Sequence, residues 1–555
     1  MKAISPILKT LVAVVVLVAG SVKLPAQTIE YLNSNNVKAG IGTGGNLFTT
    51  TLPTSIWSLF ETPPGSGKTE VFTAALWLGG FDNTGVYHCA GNRYFDYGTD
   101  YFDGPVSSNY NSNYDQYYKR VFKVNKAQIA GFRSLIFPVT VAQVDSAILF
   151  WPGERNPSVL SNYGVSIDSP LAPFIDVNSN GVYEPLLGDY PAIPGDQGIF
   201  FVFNDIRSAH TEGGGTAIGV EIRGLASSFL NAIGIGEPAY KNAINNSVFI
   251  QYEIQNKSHQ TFPVFHLGMY VDPDIGCFDN DFVGCDTTRG LMFAYNGVPY
   301  DPDCAPELGY DSVPVALGVQ VLSLPLNVFL YFKGQDATAP AQSDPVTVGL
   351  CSVYRYYAQG DWGDGTPIEY GHTGYNSGGS PTAYCFPGDP TDSTQWSESA
   401  GHMTPGDRRM LGVTNALNFV PGQTLHYDLG YTSAYDPTSN HLSIVDSLKN
   451  ETDSVKAFYL HRVLHSQQAS GIYEVSGTNT FTVSIYPNPT NNNITIESTD
   501  IIQTIQLMDI EGRVLLHKTI GATKTILPVN TLAKGVYLLN VQGVGASIIR
   551  KIVVE

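Results

Sequence analysis

The side chains best placed to do chemistry are carboxylates gathered in two short stretches. The first, Asp176-Val177-Asn178-Ser179-Asn180-Gly181-Val182-Tyr183-Glu184, sets oxygen-bearing side chains at loop positions 1, 3 and 5, then a glycine able to make a sharp turn. This is the first half of an EF-hand-type calcium loop, in which Asp176, Asn178, Asn180 and Val182, the last through its carbonyl, would contribute to a shell of about six to eight oxygens. The second half departs, because Leu187 stands where such a loop places a bidentate Glu. Glu184 or Asp189 would have to close the shell, and no flanking helices are evident. The alternative is an Asx-rich turn held by its own side-chain hydrogen bonds. The second stretch carries Asp272, Asp274, Asp279, Asp281 and Asp286, five carboxylates within 15 residues, with Arg289 as the nearby base. Such groups repel one another unless a cation neutralises them, so calcium is expected here too, against the alternative of a solvated acidic loop.

Other signatures fail on spacing. Pro64-Gly65-Ser66-Gly67-Lys68-Thr69 imitates the end of a phosphate-binding loop, but Thr62 occupies the place of its first glycine and no βα context follows. A surface turn is expected instead. Gly40-Ile41-Gly42-Thr43-Gly44-Gly45 lacks the helix of a dinucleotide fingerprint. His461 and His465 stand four apart without the Glu of a metalloprotease helix. No GxSxG elbow occurs. Glu154 could act as a glycosidase acid, yet no second carboxylate can be assigned to it. No catalytic residue is therefore nominated.

The cysteines and the charge bound the setting. Cys89, Cys277, Cys285, Cys304, Cys351 and Cys385 are even in number and show no CxxC spacing, so disulfides are favoured over zinc. Loop closure suggests Cys277 with Cys285 or Cys285 with Cys304, and Cys351 with Cys385; free buried thiols are the alternative. Between residues 27 and 480 lie 44 acidic and 21 basic residues, whereas residues 481–555 hold five acids and six bases. An acidic body of this kind repels nucleic acid and is compatible with divalent cations.

The elements that must position these groups are mostly strands. In Ser247–Gln255, Val248, Ile250, Tyr252 and Ile254 alternate with Gln251, Glu253 and Gln255, a half-buried strand. Residues 72–78, 198–203 and 216–222 read similarly. Helix is scarce; Ile444 to His465 is the best candidate, with Val445, Leu448, Val455 and Phe458 at helical spacing. A mainly β protein is expected, with a large sandwich-like region over 27–468, a polar tether at 469–480 and a small Ig-like β-sandwich over 481–555.

Both ends speak to destination. Lys2 and Lys9 precede the apolar run 11–19, and cleavage after Ala26 would complete a secretory signal, 1–26. No other run is long enough for a membrane helix, so no transmembrane segment is expected in the mature chain. At the other end stand Val483-Ser484-Ile485-Tyr486-Pro487-Asn488-Pro489, Gln506-Leu507-Met508-Asp509-Ile510-Glu511-Gly512-Arg513 and Leu532-Ala533-Lys534-Gly535-Val536-Tyr537-Leu538, closing on Arg550-Lys551-Ile552-Val553-Val554. Together these blocks resemble the type A C-terminal sorting domain of Bacteroidota type IX secretion cargo. The resemblance implies export to the cell surface or beyond, with the translocon and its sorting peptidase as partners and removal of the domain on the way. Blocks such as 74–82, 98–105, 360–365, 386–390 and Pro405-Gly406-Asp407-Arg408-Arg409 resemble large uncharacterised exported proteins of the same phylum, a likeness that carries no activity with it. The expectation is a calcium-stabilised surface or secreted protein with a structural, adhesive or assembly role, whose partners could be surface polysaccharide or further copies of itself. The alternatives are a secreted hydrolase of glycans or peptides and a carbohydrate-binding module.

Overall fold

The computed structural model describes residues 29–49, 58–94, 99–207, 209–230, 240–334, 339–345, 349–460, 483–508, 514–543 and 547–554. The expected signal, the tether and His461 and His465 lie outside them.

Alternating apolar residues build two antiparallel nine-stranded sheets. The path of the first runs Ile29–Leu32, Lys38–Gly42, Asn46–Leu47, Thr69–Phe81, Phe262–Pro273, Arg409–Phe419, Val328–Phe332. That of the second runs Asp281–Asp286, Leu291–Asn296, Val315–Val321, Thr424–Tyr435, Ser247–Asn256, Val220–Ser228, Gln197–Asn204, Phe102–Asp103. Their facing side chains share one apolar core that includes Trp77, Leu267 and Met269 from the first sheet and Ile250, Tyr252 and Tyr431 from the second. Phe48 and Tyr431 meet edge to face at 4.9 Å across it. This is the expected β-sandwich.

A polar bridge also crosses the core. The Ser433 hydroxyl donates to the Glu70 carboxylate at 2.6 Å, and Tyr310 approaches the same oxygen at 3.5 Å. Burial is the larger influence, and it pushes the Glu70 carboxyl up to about 8.

Outer faces are covered by helices. In Ile444–Phe458 the buried residues Ile444, Val445, Leu448, Thr452 and Val455 form one stripe, which packs on Leu291, Phe293 and Ala316 at one end and on Phe249 and Leu322 at the other. Phe249 thus belongs to the opposite face of its strand from Ile250, and this strand is covered on both sides. Short helices at Ser112–Tyr118, Lys126–Arg133 and Pro157–Tyr163 close a second core over Phe200, Val202 and Leu225. Each starts at an asparagine cap, Asn111, Asn125 or Asn156, which compensates for a length too short to show helical periodicity.

Two local expectations change. The strand expected at 216–222 begins only at Val220, because Gly219 takes φ +88° and the Asp205 carboxylate accepts the N–H groups of Ile218, Gly219 and Val220. The disulfides are Cys89–Cys351 and Cys277–Cys304, with Cys285 and Cys385 as buried thiols. Nearness in sequence misleads here. The Asp281–Asp286 strand carries Cys285 into the core beside the segment of Cys385, whereas the turns holding Cys277 and Cys304 fold onto each other.

Residues 483–554 form their own five-stranded antiparallel sheet around Ile494, Ile496, Ile505, Leu507, Leu539, Val541 and Ile552. Register shifts between Glu497 and Thr504 bend the long strand Asn493–Met508, so its first half pairs with Val483–Tyr486 and its second with Gly535–Gly543. No helix among the described residues is long and apolar enough to cross a membrane.

The raised carboxyl of Glu70 makes a signed prediction. Between 4.5 and about 8 the folded chain holds a proton that the unfolded chain releases, so this group's contribution to stability falls as pH rises through that window. Glu70→Gln should therefore gain stability over the parent in urea unfolding at pH 8 compared with pH 5. An identical pH dependence in the two proteins would remove Glu70 as a buried acid.

Candidate metal centre

Strand register gathers carboxylates that the sequence holds far apart. Phe262–Pro273 runs antiparallel to Arg409–Phe419, with Val271 opposite Met410. Continuing that register past the end of the ladder sets Asp272 against Arg409 and Asp274 against Asp407. Asp272, Asp274 and Asp407 each offer a carboxylate oxygen, and the three oxygens lie within 4.8 Å of one another. Oxygens bound to one calcium ion at about 2.3–2.6 Å can be no more than about 5 Å apart, so the spacing suits a single hard cation.

The surroundings are short of positive charge. Asp272 is 2% and Asp274 6% exposed. The Arg409 guanidinium pairs with Asp407 and lies 3.3 Å from Asp272 and 3.7 Å from Asp344. Tyr94 donates its hydroxyl to Asp272 at 2.5 Å and accepts from Arg409 at 3.0 Å, while Tyr270 donates to Asp344 at 3.1 Å. Among the described residues, none donates a hydrogen bond to the Asp274 carboxylate. Burial pushes the Asp272 carboxyl up to about 7 against the opposing pull of Arg409, and burial, followed by the Asp272 charge, raises Asp274 well above the ordinary range. One guanidinium, Arg409, thus stands against Asp272, Asp344 and Asp407, and the neighbouring Asp274 adds a further carboxyl to the same group.

An open cleft of about 580 Å³ borders the centre, and Asp407 belongs to both. Asp279, Lys333, His372, His402 and Arg408 also line it. Arg408 is held in place by the buried carboxylate of Glu398 at 2.8 Å.

The expected acidic stretch therefore does not act as one cluster. Asp272 and Asp274 enter the centre. Asp281 is buried behind it, accepting the Ile275 N–H at 3.2 Å, and burial raises its carboxyl, with Asp274 and Asp407 adding to the shift. Asp279 is exposed at the cleft. Asp286 is neutralised by Arg289 at 2.7 Å, and Arg289 also binds Asp453 at 2.8 Å. Asp407, Asp344, Arg409 and Tyr94 had no sequence signal of their own except that Asp407 follows a Pro-Gly turn.

In the other candidate loop, side chains satisfy the backbone. Asp176 accepts the Gly181 N–H at 2.7 Å, Asn178 that of Asn180 at 3.1 Å and Asn180 that of Val182 at 2.8 Å. Glu184 accepts the Asn180 amide at 2.6 Å, and Asp189 caps the N–H groups of Val177 and Glu184 at 2.8 and 2.7 Å. One Asp176 oxygen is buried and has no hydrogen-bond partner among the described residues. The phosphate-loop mimic is a turn whose Gly65 and Gly67 N–H groups are taken by the Glu61 carboxylate at 2.7 and 2.9 Å, where a phosphate would have to sit.

Against known proteins, residues 484–555 match the secretion system C-terminal sorting domain family. No curated protein matches the chain. Among solved structures, the chain has likeness to a polysaccharide lyase at 10% identity and TM-score 0.18, over 60% of this chain and 34% of that one. It also has likeness to a copper-containing benzylamine oxidase from Hansenula polymorpha at 8% identity and TM-score 0.25, over 80% and 65%. The chain thus spans about a third of the first protein and just under two thirds of the second.

Arg409→Met keeps an apolar stem and removes the counter-charge of three acids. In the presence of chelator it should cost about 3–5 kcal/mol in urea unfolding, as uncompensated buried charge does. A cost under about 1 kcal/mol would mean that the acids are already protonated or solvated.

Proposed function

We propose that residues 29–460 form an exported, cation-stabilised β-sandwich with a structural, adhesive or assembly role. The observation that carries this reading is the meeting of Asp272, Asp274 and Asp407, whose carboxylate oxygens lie within 4.8 Å of one another. The hard carboxylate oxygens favour calcium, and a bound ion would fasten two neighbouring strands of the first sheet at their ends. The sorting domain at 484–555 supports delivery by type IX secretion to the surface or the medium. The second reading, a glycan-binding or hydrolytic site, draws on the cleft, which Asp279 and Asp407 both line.

Calcium should raise the melting temperature of the chelated protein, by an amount that corresponds to about 2.7 kcal/mol at a hundredfold excess over the dissociation constant. Asp274→Asn should abolish that response. Superimposable melts with calcium and with chelator would sink the cation reading. Binding of an oligosaccharide array that Asp279→Asn removes, with melting indifferent to calcium, would favour the second reading. Deleting residues 481–555 should leave the body in the periplasm; efficient surface delivery of the truncated chain would refute the sorting role.

A further inference from the structure

Each sheet of the sandwich has an open edge, and one segment lies against both. The first sheet ends at Val328–Phe332 and the second at Asp281–Asp286. Phe329 donates its N–H to the Ala383 carbonyl at 2.9 Å and accepts that of Cys385 at 2.9 Å. On the other side, Cys285 donates its N–H to the Phe386 carbonyl at 3.3 Å, and its thiol lies 3.5 Å from the Cys385 carbonyl. Residues 383–386 thus bond to one residue on each of two edge strands, Phe329 and Cys285, whose outward backbone groups would otherwise be open to a foreign strand.

We propose that Cys285 and Cys385 form a third disulfide in the exported protein, stapling this cap to the edge of the second sheet. The other four cysteines pair with each other, so these two are left as mutual partners, both buried, on segments bonded to each other, 100 residues apart in sequence. The reading rests on export, because only an oxidising compartment supplies the electron acceptor. One thiolate attacks a sulfur of an incoming protein disulfide and expels its thiolate. The second cysteine then displaces the remaining carrier sulfur. In balance, two thiols lose two protons and two electrons, and the carrier disulfide becomes two thiols. Oxidation has to precede closure, since burial of both thiols shields them from a carrier in the finished fold.

A catalytic thiol would need a neighbouring cation or base to hold its thiolate. Here burial raises both groups well above the ordinary thiol range, and the nearby carboxylates of Asp286 and Glu398 add to it. A cross-link is the chemistry that the environment permits.

The test is a thiol count on the mature protein recovered after export, denatured without reductant and alkylated. The expected result is no alkylation, an intact mass six hydrogens below that of the reduced chain, and a non-reduced digest containing a peptide pair that joins residues 285 and 385. Cys285→Ser should expose one alkylatable thiol, at Cys385; the parent count stands alone if that variant fails to fold. Two alkylated thiols at Cys285 and Cys385 beside intact Cys89–Cys351 and Cys277–Cys304 would overturn the staple while leaving the export reading standing. Six alkylated thiols would overturn both.

Discussion

Charge taken out of water must be balanced close by, and the Asp272, Asp274, Asp407 and Arg409 group is where this molecule meets that constraint most sharply. An isolated buried carboxylate costs several kcal/mol, and the Arg409 guanidinium is divided among Asp272, Asp344 and Asp407. The phenols of Tyr94 and Tyr270 supply hydrogen bonds but no charge. What remains can be relieved by protons, as the upward shifts of Asp272 and Asp274 indicate, or by a cation. The two routes have opposite pH dependence: protonation stabilises toward acid, whereas a metal requires the ionised form.

The position of that centre explains why it matters to the fold. It lies where Phe262–Pro273 ends beside the start of Arg409–Phe419 in the first sheet, and turns leave the sandwich there toward Cys277–Cys304. The same end carries the cleft. At another margin the 383–386 segment covers the free edges, and the helix Ile444–Phe458 seals the outer face of the second sheet. Hydrophobic burial drives the sheets together, but their margins depend on caps, ion pairs and cross-links that join parts of the chain hundreds of residues apart, such as Cys89 with Cys351.

Short-range features were legible. The alternation of Val248, Ile250, Tyr252 and Ile254 does mark a strand with that face on the sandwich core, and the stripe of Ile444, Val445, Leu448 and Val455 marks a helix. What misled was context beyond the period: Phe249 is buried because that helix covers it, and Thr216 is not in a strand because Asp205, from the preceding strand's end, caps the following amides. The short helices escaped since one or two turns cannot display a period, although their asparagine caps were visible. Two of the three carboxylates of the candidate centre, Asp272 and Asp274, were readable. The third was not, because Asp407 reaches them only through strand pairing.

The amino-acid sequence by itself determined the β class, the apolar faces, the acidic body and the sorting segment, because periodicity, composition and short ordered motifs are properties of neighbours along the chain. Only the tertiary structure decided which carboxylates share a cation-sized space, which cysteines pair and which remain beside each other, and where a glycine-rich turn meets its own Glu61 in place of a phosphate. Those outcomes depend on register between strands far apart in sequence. A register is chosen by the burial of whole faces, so no local motif encodes it.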